Sequence, residues 1–193
     1  VLPGYSSSFY LGDLPIFNRW KSSYNPWTDL TLTTPNSNQF VETMFRAVEK
    51  RLMGDVPWGV LLSGGLDSTI VACIANLLTS KRPDYPKLHT FCIGLNDSPD
   101  VIWANKVAKE LGCHHTSIEY SVEDAVRVVP DVIKAVETYD VTTIRASTPM
   151  WLLAKAIKNR GIKMVLSGEG SDELFAGYLY NLYCPSERHM VDE

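Results

Sequence analysis

The sequence predicts an α/β fold, in which a parallel sheet has helices on both faces. Short apolar runs alternate along the chain with longer segments whose apolar residues recur at helical spacing. This alternation implies right-handed crossover connections between parallel strands. Several apolar runs are followed by loops of small or acidic residues, and ligands of such sheets bind beyond the carboxyl ends of the strands. We therefore expect the functional site at these loops.

The amino-terminal segment differs from the rest of the chain. Residues 1–35 are rich in proline, glycine and serine with aromatic residues between them, which predicts an irregular, partly extended segment. Asn36, Ser37 or Asn38 can cap a first helix. One face of that helix is apolar and carries Phe40, Val41, Met44, Phe45, Val48 and Leu52.

Strands and helices then alternate. Ser121 and Asp124 resemble a capping box, which predicts the start of one helix. Ser147 and Thr148, followed by Pro149, predict the start of another, in which Pro149 is the first helical residue. The predicted strands are 58–62, 88–94, about 114–120 and 162–167, and the predicted helices are 69–78, from Pro99 to about Leu111, from about 122, and from Pro149 to Gly161.

The composition excludes several classes of function. The 193 residues suffice for one well-buried domain with a short appendage, and 45% apolar and 21% charged residues are ordinary for a globular protein. A net charge of −4 without a basic run argues against a nucleic-acid surface. No apolar stretch reaches the ~18 residues of a membrane span, and no signal peptide opens the chain. We expect a cytosolic protein with neither a nucleic-acid nor a membrane partner.

The cysteine pattern predicts reduced thiols rather than a disulfide framework. His114 and His115 have no cysteine or histidine partner at zinc spacing. Cys73 and Cys92 lie in apolar surroundings, which predicts buried thiols. The cysteines are widely spaced, with no Cys-x-x-Cys pair: Cys73, Cys92, Cys113 and Cys184.

The segment Ser63–Ser68 has the composition of a phosphate-binding loop. Two consecutive glycines let backbone amides approach an anion closely, and the following helix adds its unpaired N–H groups. The alternative is an ordinary tight turn between a strand and a helix. The complete string Ser-Gly-Gly-Leu-Asp-Ser between a strand and a helix favours phosphate binding. It contains neither the lysine of a Walker loop nor the spacing of a dinucleotide-binding turn.

A second loop, after the predicted strand at 162–167, is acidic. It carries Glu169, Asp172 and Glu173. Carboxylates are poor phosphate ligands by themselves, but Mg²⁺ binds one or two of them together with substrate phosphates. The alternative is a solvated acidic turn.

Together these strings resemble a known family. Ser63–Ser68 resembles the PP-loop of the ATP pyrophosphatases, which cleave ATP between its α- and β-phosphates. Residues 165–180, 137–150 and 91–95 are similar to the synthetase domain of glutamine-dependent asparagine synthetases, and the resemblance runs from about residue 36 to about residue 185. It implies an adenine nucleotide alpha hydrolase-like fold, a Rossmann-like arrangement of three layers.

The resemblance also implies a reaction and its ligands. The β-carboxylate of aspartate attacks the α-phosphorus of ATP, pyrophosphate leaves, and ammonia then displaces AMP. Asp67 and Asp172 would bridge to the phosphates through Mg²⁺. The residues implied to hold pyrophosphate are Ser63, Gly64, Gly65, Asp67 and Ser68.

Other residues are implied around the rest of the substrate. Leu62 and Ile93 would lie against adenine and ribose, although core packing also explains them, with Ser167 and Gly168 nearby. Glu169 is the position that the family links to the aspartyl-adenylate step, as a base towards ammonia.

The third catalytic candidate, beside Glu169 and Asp67, is Arg145. It would pair with a phosphate or a carboxylate, and a structural ion pair is the alternative. Thr142 and Thr143 are weaker candidates.

The resemblance implies a longer parent protein. Residues 1–35 would be the end of a glutaminase domain and its linker, and residues 36–193 a synthetase domain that lacks its carboxyl-terminal helices. The chain begins with Val1 instead of the family's amino-terminal cysteine nucleophile, so we expect ammonia to come from a glutaminase domain outside this chain. The resemblance leaves a homodimer open.

Two other functions stay open. One is a different PP-loop amidating ligase, such as a β-lactam-forming synthetase, although residues 137–150 favour asparagine synthesis. The other is a truncated module that binds ATP without turnover.

Overall fold

The computed structural model describes residues 5–8, 12, 16–19, 36–82 and 85–186. The chain divides into two compact units, one of Val1–Asn36 together with Leu182–Glu193, and one of Ser37–Asn181.

The smaller unit contains a two-stranded antiparallel sheet. Strand β1 (Tyr5–Ser8) pairs with β2 (Ile16–Arg19). The composition predicts a partly extended segment here, but not that two of its stretches pair. Apart from Gly12, the rest of that segment up to residue 35 lies outside the described residues.

The larger unit alternates strands and helices. Its strands are β3 (Trp58–Leu61), β4 (His89–Leu95), β5 (His114–Tyr120) and β6 (Met164–Leu166). Its helices are α1 (Ser37–Glu49), α2 (Leu66–Thr79), α3 (Pro99–Leu111), α4 (Val122–Val136), α5 (Val141–Asn159) and α6 (Ser171–Phe175), and a 3₁₀ helix follows at Leu179–Tyr183.

The four strands of this unit form a parallel sheet in the order β5-β4-β3-β6, as predicted. Val60 of β3 lies between Thr90 of β4 and Leu166 of β6. The chain proceeds from β3 outward to β4 and β5, and then returns to the other side of β3 to form β6. The direction of winding therefore changes between β3 and β6, which is where sheets of this kind bind ligands.

Helices cover both faces of the sheet, because alternate strand residues point to opposite sides. On one face, Val60, Leu62 and Cys92 pack with apolar residues of α1, α2 and α3. On the other face, Phe91 packs with Leu153 and Ile157 of α5, and α4 packs against α5. The prediction of a three-layer α/β fold is confirmed.

The apolar face predicted for the first helix is only partly buried. Val48 and Leu52 lie in the core, whereas Phe40 and Val41 near the start of α1 are about half exposed. Phe40 instead makes an edge-to-face contact with Phe175, with ring centroids 5.6 Å apart.

Two helix starts follow their sequence signals. The Ser121 hydroxyl accepts a hydrogen bond from the Asp124 backbone N–H at 3.1 Å, and the Asp124 carboxylate accepts one from the Ser121 backbone N–H at 3.1 Å. This is the predicted capping box of α4. Pro99 is the first residue of α3, also as predicted.

The predicted start of the next helix at Pro149 is wrong. Helix α5 begins at Val141, and the Asp140 carboxylate caps it by accepting a hydrogen bond from the Thr143 backbone N–H at 2.7 Å. Pro149 lies inside the helix, where it lacks the N–H of one backbone hydrogen bond. The Thr148 hydroxyl donates to the Ile144 carbonyl at 2.7 Å instead of capping a new helix. Tertiary packing of α5 on the sheet outweighs the local signal.

Two further predictions concern thiols and membranes. All four cysteines are free, and Cys92 is buried as predicted, whereas Cys73 is only half-buried. Among the described residues, no helix is both long and apolar enough to cross a membrane.

Candidate functional site

A cavity of about 320 Å³ lies at the carboxyl ends of β3, β4 and β6, where the winding of the sheet changes direction. Its lining brings together most of the residues that the sequence singled out: Leu62, Ser63, Gly65, Asp67, Ser68, Ile93, Ser167, Gly168, Glu169 and Asp172.

The Ser63–Ser68 loop folds back over the first turn of α2. The Ser68 hydroxyl accepts a hydrogen bond from the Ser63 backbone N–H at 3.2 Å, lies 3.0 Å from the Ser63 hydroxyl, and donates to the Gly65 carbonyl at 3.3 Å. Gly65 is the N-cap residue, and no side chain caps this helix within the described part of the chain. The backbone N–H groups of the first turn are therefore not occupied by a capping side chain and can donate to an anion.

Gly64 has a different role from its neighbour. It adopts a φ of +82°, and a β-carbon there would lie 2.6 Å from the Ala104 backbone nitrogen and 2.6 Å from the Trp103 β-carbon. Its residue type is thus required by the close packing of the loop on α3. Gly64 is not among the residues that line the cavity.

The second loop lies directly against the first. A β-carbon on Gly168 would lie 2.9 Å from the Ser68 backbone nitrogen and 3.1 Å from the Asp67 β-carbon. The loop is held by the Ser167 hydroxyl, which accepts from the Glu169 backbone N–H at 3.1 Å, and by the Ser171 hydroxyl, which donates to the Gly168 carbonyl at 2.8 Å. This contact brings the acidic residues of the second loop to the phosphate-binding loop.

The charge that lines the cavity is entirely negative. Four carboxylates contribute to the lining, those of Asp67, Asp100, Glu169 and Asp172, and the lining contains no lysine, arginine or histidine. In the described parts of the chain, none of these carboxylates forms an ion pair. A polyphosphate could enter such a cavity only with a cation to offset the repulsion.

The third acidic residue of the second loop lies outside the cavity. The Glu173 carboxylate accepts a hydrogen bond from the Tyr178 hydroxyl. This bond lowers the pKa of Glu173 and raises the pKa of Tyr178 to about 12. Glu173 therefore stabilises the turn after α6 and does not face the cavity.

The sequence of the chain matches a known protein family over most of its length. The sequence model of the asparagine synthase family matches residues 39–192. The chain belongs to the asparagine synthase family. A glutamine-hydrolyzing asparagine synthetase of Zea mays is 48% identical over 99% of this chain and 33% of its own length, and one of Asparagus officinalis is 49% identical over 92% and 31%. The chain thus spans about a third of the length of these relatives.

Solved structures with this fold are more distant in sequence. The ammonia-dependent NAD synthetase of Campylobacter jejuni matches with a TM-score of 0.51 and 16% identity, over 75% of this chain and 62% of that one. The U34-tRNA thiolase of Methanococcus maripaludis matches with a TM-score of 0.54 and 16% identity, over 79% and 53%. At these identities the likeness confirms the fold class alone.

The donor set of this family member fits a magnesium ion. Asp67 and Asp172 both line the cavity and offer hard oxygen ligands. Within the described residues, no three histidines, cysteines or carboxylates are grouped closely enough to hold a metal ion by themselves. Mg²⁺ usually binds one or two carboxylates and completes its shell with substrate phosphates and water, so two aspartates suffice.

Arg145 is placed differently from the other catalytic candidates. It is exposed on the second turn of α5 and does not line the cavity. Among the described residues it has no carboxylate within ion-pair distance, so the alternative of a structural ion pair is not observed there. Of the weaker candidates Thr142 and Thr143, neither lines the cavity, and the Thr143 backbone N–H donates to the helix cap.

The sequence analysis missed several residues of the lining. Asp100 lies in the helix predicted from Pro99, and the sequence indicates no ligand role for it, although it follows the carboxyl end of β4 and lines the cavity. Met150 and Leu153 of α5 also line the cavity. Their contribution depends on how α5 crosses the sheet, which local sequence signals do not reveal.

Proposed function

We propose that this chain is the ATP-binding part of a glutamine-dependent asparagine synthetase, which converts aspartate to asparagine through a β-aspartyl-AMP intermediate and releases pyrophosphate. One observation carries the proposal. In a member of the asparagine synthase family, the Ser63–Ser68 loop and the acidic loop after β6 meet at one cavity, at the point where the sheet changes its winding.

The phosphates lie against the first loop. The open N–H groups at the start of α2 and the hydroxyls of Ser63 and Ser68 donate hydrogen bonds to phosphate oxygens. Asp67 and Asp172 hold Mg²⁺, which supplies positive charge to a cavity whose lining has no basic side chain. These groups stabilise the charge that develops on pyrophosphate as it leaves.

The nucleoside lies against the apolar part of the cavity. Leu62, directly after β3 and only 1% exposed, and Ile93, near the end of β4, form the apolar wall against which adenine and ribose lie. Met150 and Leu153 of α5 extend this surface on the opposite side. Burial in the sheet fixes these side chains, so the same residues serve both the core and the pocket.

The acid and ammonia react on the side of the second loop. Glu169 follows Ser167 and Gly168 at the end of β6, and its carboxylate accepts a proton from ammonia as the amide forms. Arg145, exposed at the start of α5, pairs with a phosphate or a substrate carboxylate.

The proposal includes parts that lie outside this chain. The relatives are named as glutamine-hydrolyzing enzymes and are about three times as long. We assign residues 1–35 to the end of a glutaminase domain and its linker, and residues 36–193 to the synthetase domain. A glutaminase domain of a cytosolic parent protein supplies the ammonia, and the parent can assemble as a homodimer.

The test is the fate of ATP in the parent protein, supplied with ammonium chloride so that glutamine hydrolysis is not needed. We expect AMP and pyrophosphate by phosphorus NMR, and pyrophosphate release only when aspartate is present. ADP as the main product would contradict the PP-loop assignment. Release that depends on another acid would favour a different amidating ligase, and ATP binding without release would favour a binding module.

A further inference from the structure

We infer that Asp100 binds the ribose hydroxyls of the nucleotide and makes the cavity selective for ribonucleotides. This inference rests on the proposed function, which places a nucleotide in the cavity but gives no role to Asp100. The residue lines the cavity, is exposed to it, and forms no ion pair within the described residues. A carboxylate that faces a ligand cavity without a basic partner is available to accept hydrogen bonds from the ligand.

The backbone that carries Asp100 is held from two sides. A β-carbon on Gly94, at the end of β4, would lie 2.6 Å from the Val101 side chain and 2.8 Å from the Ser98 β-carbon. The start of α3 therefore packs directly on the end of β4. The phosphate-binding loop packs on the next turn of α3 through Gly64. Asp100 is thus fixed relative to both the strand end and the loop.

Asp100 lies close to β4. Burial raises the pKa of the Cys92 thiol, and the negative charge of the nearby Asp100 contributes to this rise, while the hydrogen bond between Cys92 and Ser117 opposes it. Cys92 lines the cavity beside Ile93, which we place against the nucleoside. Asp100 also lines the cavity and lies at the start of α3, directly after β4, which is the strand that carries Ile93.

The position of Asp100 in the sheet argues against a role at the phosphates. The strand before Asp100, β4, is separated by β3 from β6, and Glu169 and Asp172 follow β6. Neighbouring strands are ~4.8 Å apart, so the ends of β4 and β6 are roughly 10 Å apart. A carboxylate without a shared cation repels phosphate oxygens.

Ribose hydroxyls fit this carboxylate well. A vicinal diol presents two O–H donors, and the two oxygens of a carboxylate accept both. In dinucleotide-binding α/β folds an acidic residue likewise accepts a hydrogen bond from a ribose hydroxyl. The adenine amino group is a competing donor on the same side of the cavity, and the test below separates the two.

The experiment is calorimetric titration of the complete 193-residue chain in EDTA, so that no metal ion contributes. The ligands are AMP, 2′,3′-dideoxy-AMP and purine riboside monophosphate, which lacks the amino group. We expect the unaltered chain to bind AMP about tenfold or more tightly than the dideoxy analogue, because hydrogen bonds to a charged group are strong. Asp100→Ala should weaken AMP binding by about the same factor and abolish this discrimination.

Matched variants make the result specific. Asp97→Asn lies in the same connection between β4 and α3, does not line the cavity, and should leave all three affinities unchanged. Asp100→Asn keeps one acceptor oxygen and should fall between the unaltered chain and Asp100→Ala. Because Asp100 is exposed, both variants should keep the circular dichroism spectrum of the unaltered chain.

Three outcomes would contradict the inference. If Asp100→Ala keeps the preference for AMP over the dideoxy analogue, Asp100 does not bind the ribose. If it loses the preference over purine riboside monophosphate instead, the carboxylate binds adenine. If the unaltered chain binds none of the nucleotides, the proposed function fails as well, which distinguishes that failure from the other two.

Discussion

At the scale of single residues, the site depends on where carboxylates are placed relative to the backbone N–H groups of one loop. Asp67 is the second residue of α2, and it is one of the residues of the phosphate-binding loop against which Gly168 packs. An aspartate near the start of a helix can also serve only as its cap. Gly65 is the N-cap residue and α2 has no side-chain cap in the described residues, so capping does not explain an aspartate at this position.

The two metal-binding aspartates and Glu169 should therefore differ in what they contribute. Asp67→Asn and Asp172→Asn keep side-chain size but remove the charge that holds Mg²⁺, so each should weaken Mg·ATP binding and slow pyrophosphate release by ~100-fold. Glu169→Gln should keep Mg·ATP binding and block amide formation. Binding is measured by calorimetry on this chain, and turnover on the parent protein.

The control for that prediction is AMP, which lacks the pyrophosphate. All three variants should bind AMP like the unaltered chain. If Glu169→Gln weakens Mg·ATP binding and Asp172→Asn does not, the two roles are reversed. If none of the three changes binding or turnover, the second loop is only an acidic turn.

At the scale of elements, α5 contributes most to the difference between expectation and structure. No proline follows its cap residue Asp140. Inside the helix, by contrast, Ser147 and Thr148 are followed by Pro149, which is a stronger local signal for a helix start. The helix nevertheless runs through Pro149, because Asp140 caps its true start, Thr148 is buried, and α5 packs against α4 as well as on the sheet. Local signals cannot reveal such a choice, since the energy comes from residues distant in sequence.

The cap of α5 should make its contribution to stability dependent on pH. Hydrogen bonds from the Thr143 backbone and side chain lower the pKa of Asp140 below its usual value of 3.8. A lowered pKa means that the stabilisation is fully present above the unfolded-state value and is lost as the pH falls through the folded-state value. Asp140→Ala should therefore lower the urea midpoint at neutral pH, and this difference should shrink as the pH falls below the unfolded-state value of 3.8.

Asparagine provides the matched control, because it caps helices about as well as aspartate but does not titrate. Asp140→Asn should therefore keep most of the stability at neutral pH. A deficit of Asp140→Ala that is the same at neutral and acidic pH would contradict the assignment of the low pKa to the cap.

The elements that the sequence predicted well share a simple physical cause. The strands β3, β4 and β6 are buried on both faces and so appear as short apolar runs. The capping box of α4 and the proline of α3 depend on neighbouring residues alone. The two loops of the site could also be predicted from the sequence, since the residues of each loop are continuous in the chain. The sequence could not predict that the cavity is also lined by Asp100, Met150 and Leu153, because the tertiary fold alone brings them there.

At the scale of the whole molecule, charge sets the conditions for ligand binding. The chain carries a net charge of −4, and the cavity is lined by four carboxylates without a basic side chain. ATP adds further negative charge, whereas AMP brings only the α-phosphate. Under the proposed function, we therefore expect the cavity to bind AMP without a cation but ATP only together with one.

Thermal unfolding of the complete chain should show this dependence directly. A ligand at 100 times its Kd stabilises the folded state by ~2.7 kcal/mol, which raises the Tm of a domain of this size by roughly 5–10 °C. We expect this rise for AMP with or without Mg²⁺, but for ATP only with Mg²⁺, because free ATP would place its phosphates against Asp67 and Asp172. Magnesium alone should have little effect, since two carboxylates without phosphate ligands bind it weakly. A rise with free ATP equal to that with Mg·ATP would mean that the phosphates lie away from the acidic loop, and the arrangement of nucleotide and metal proposed for this cavity would then be wrong.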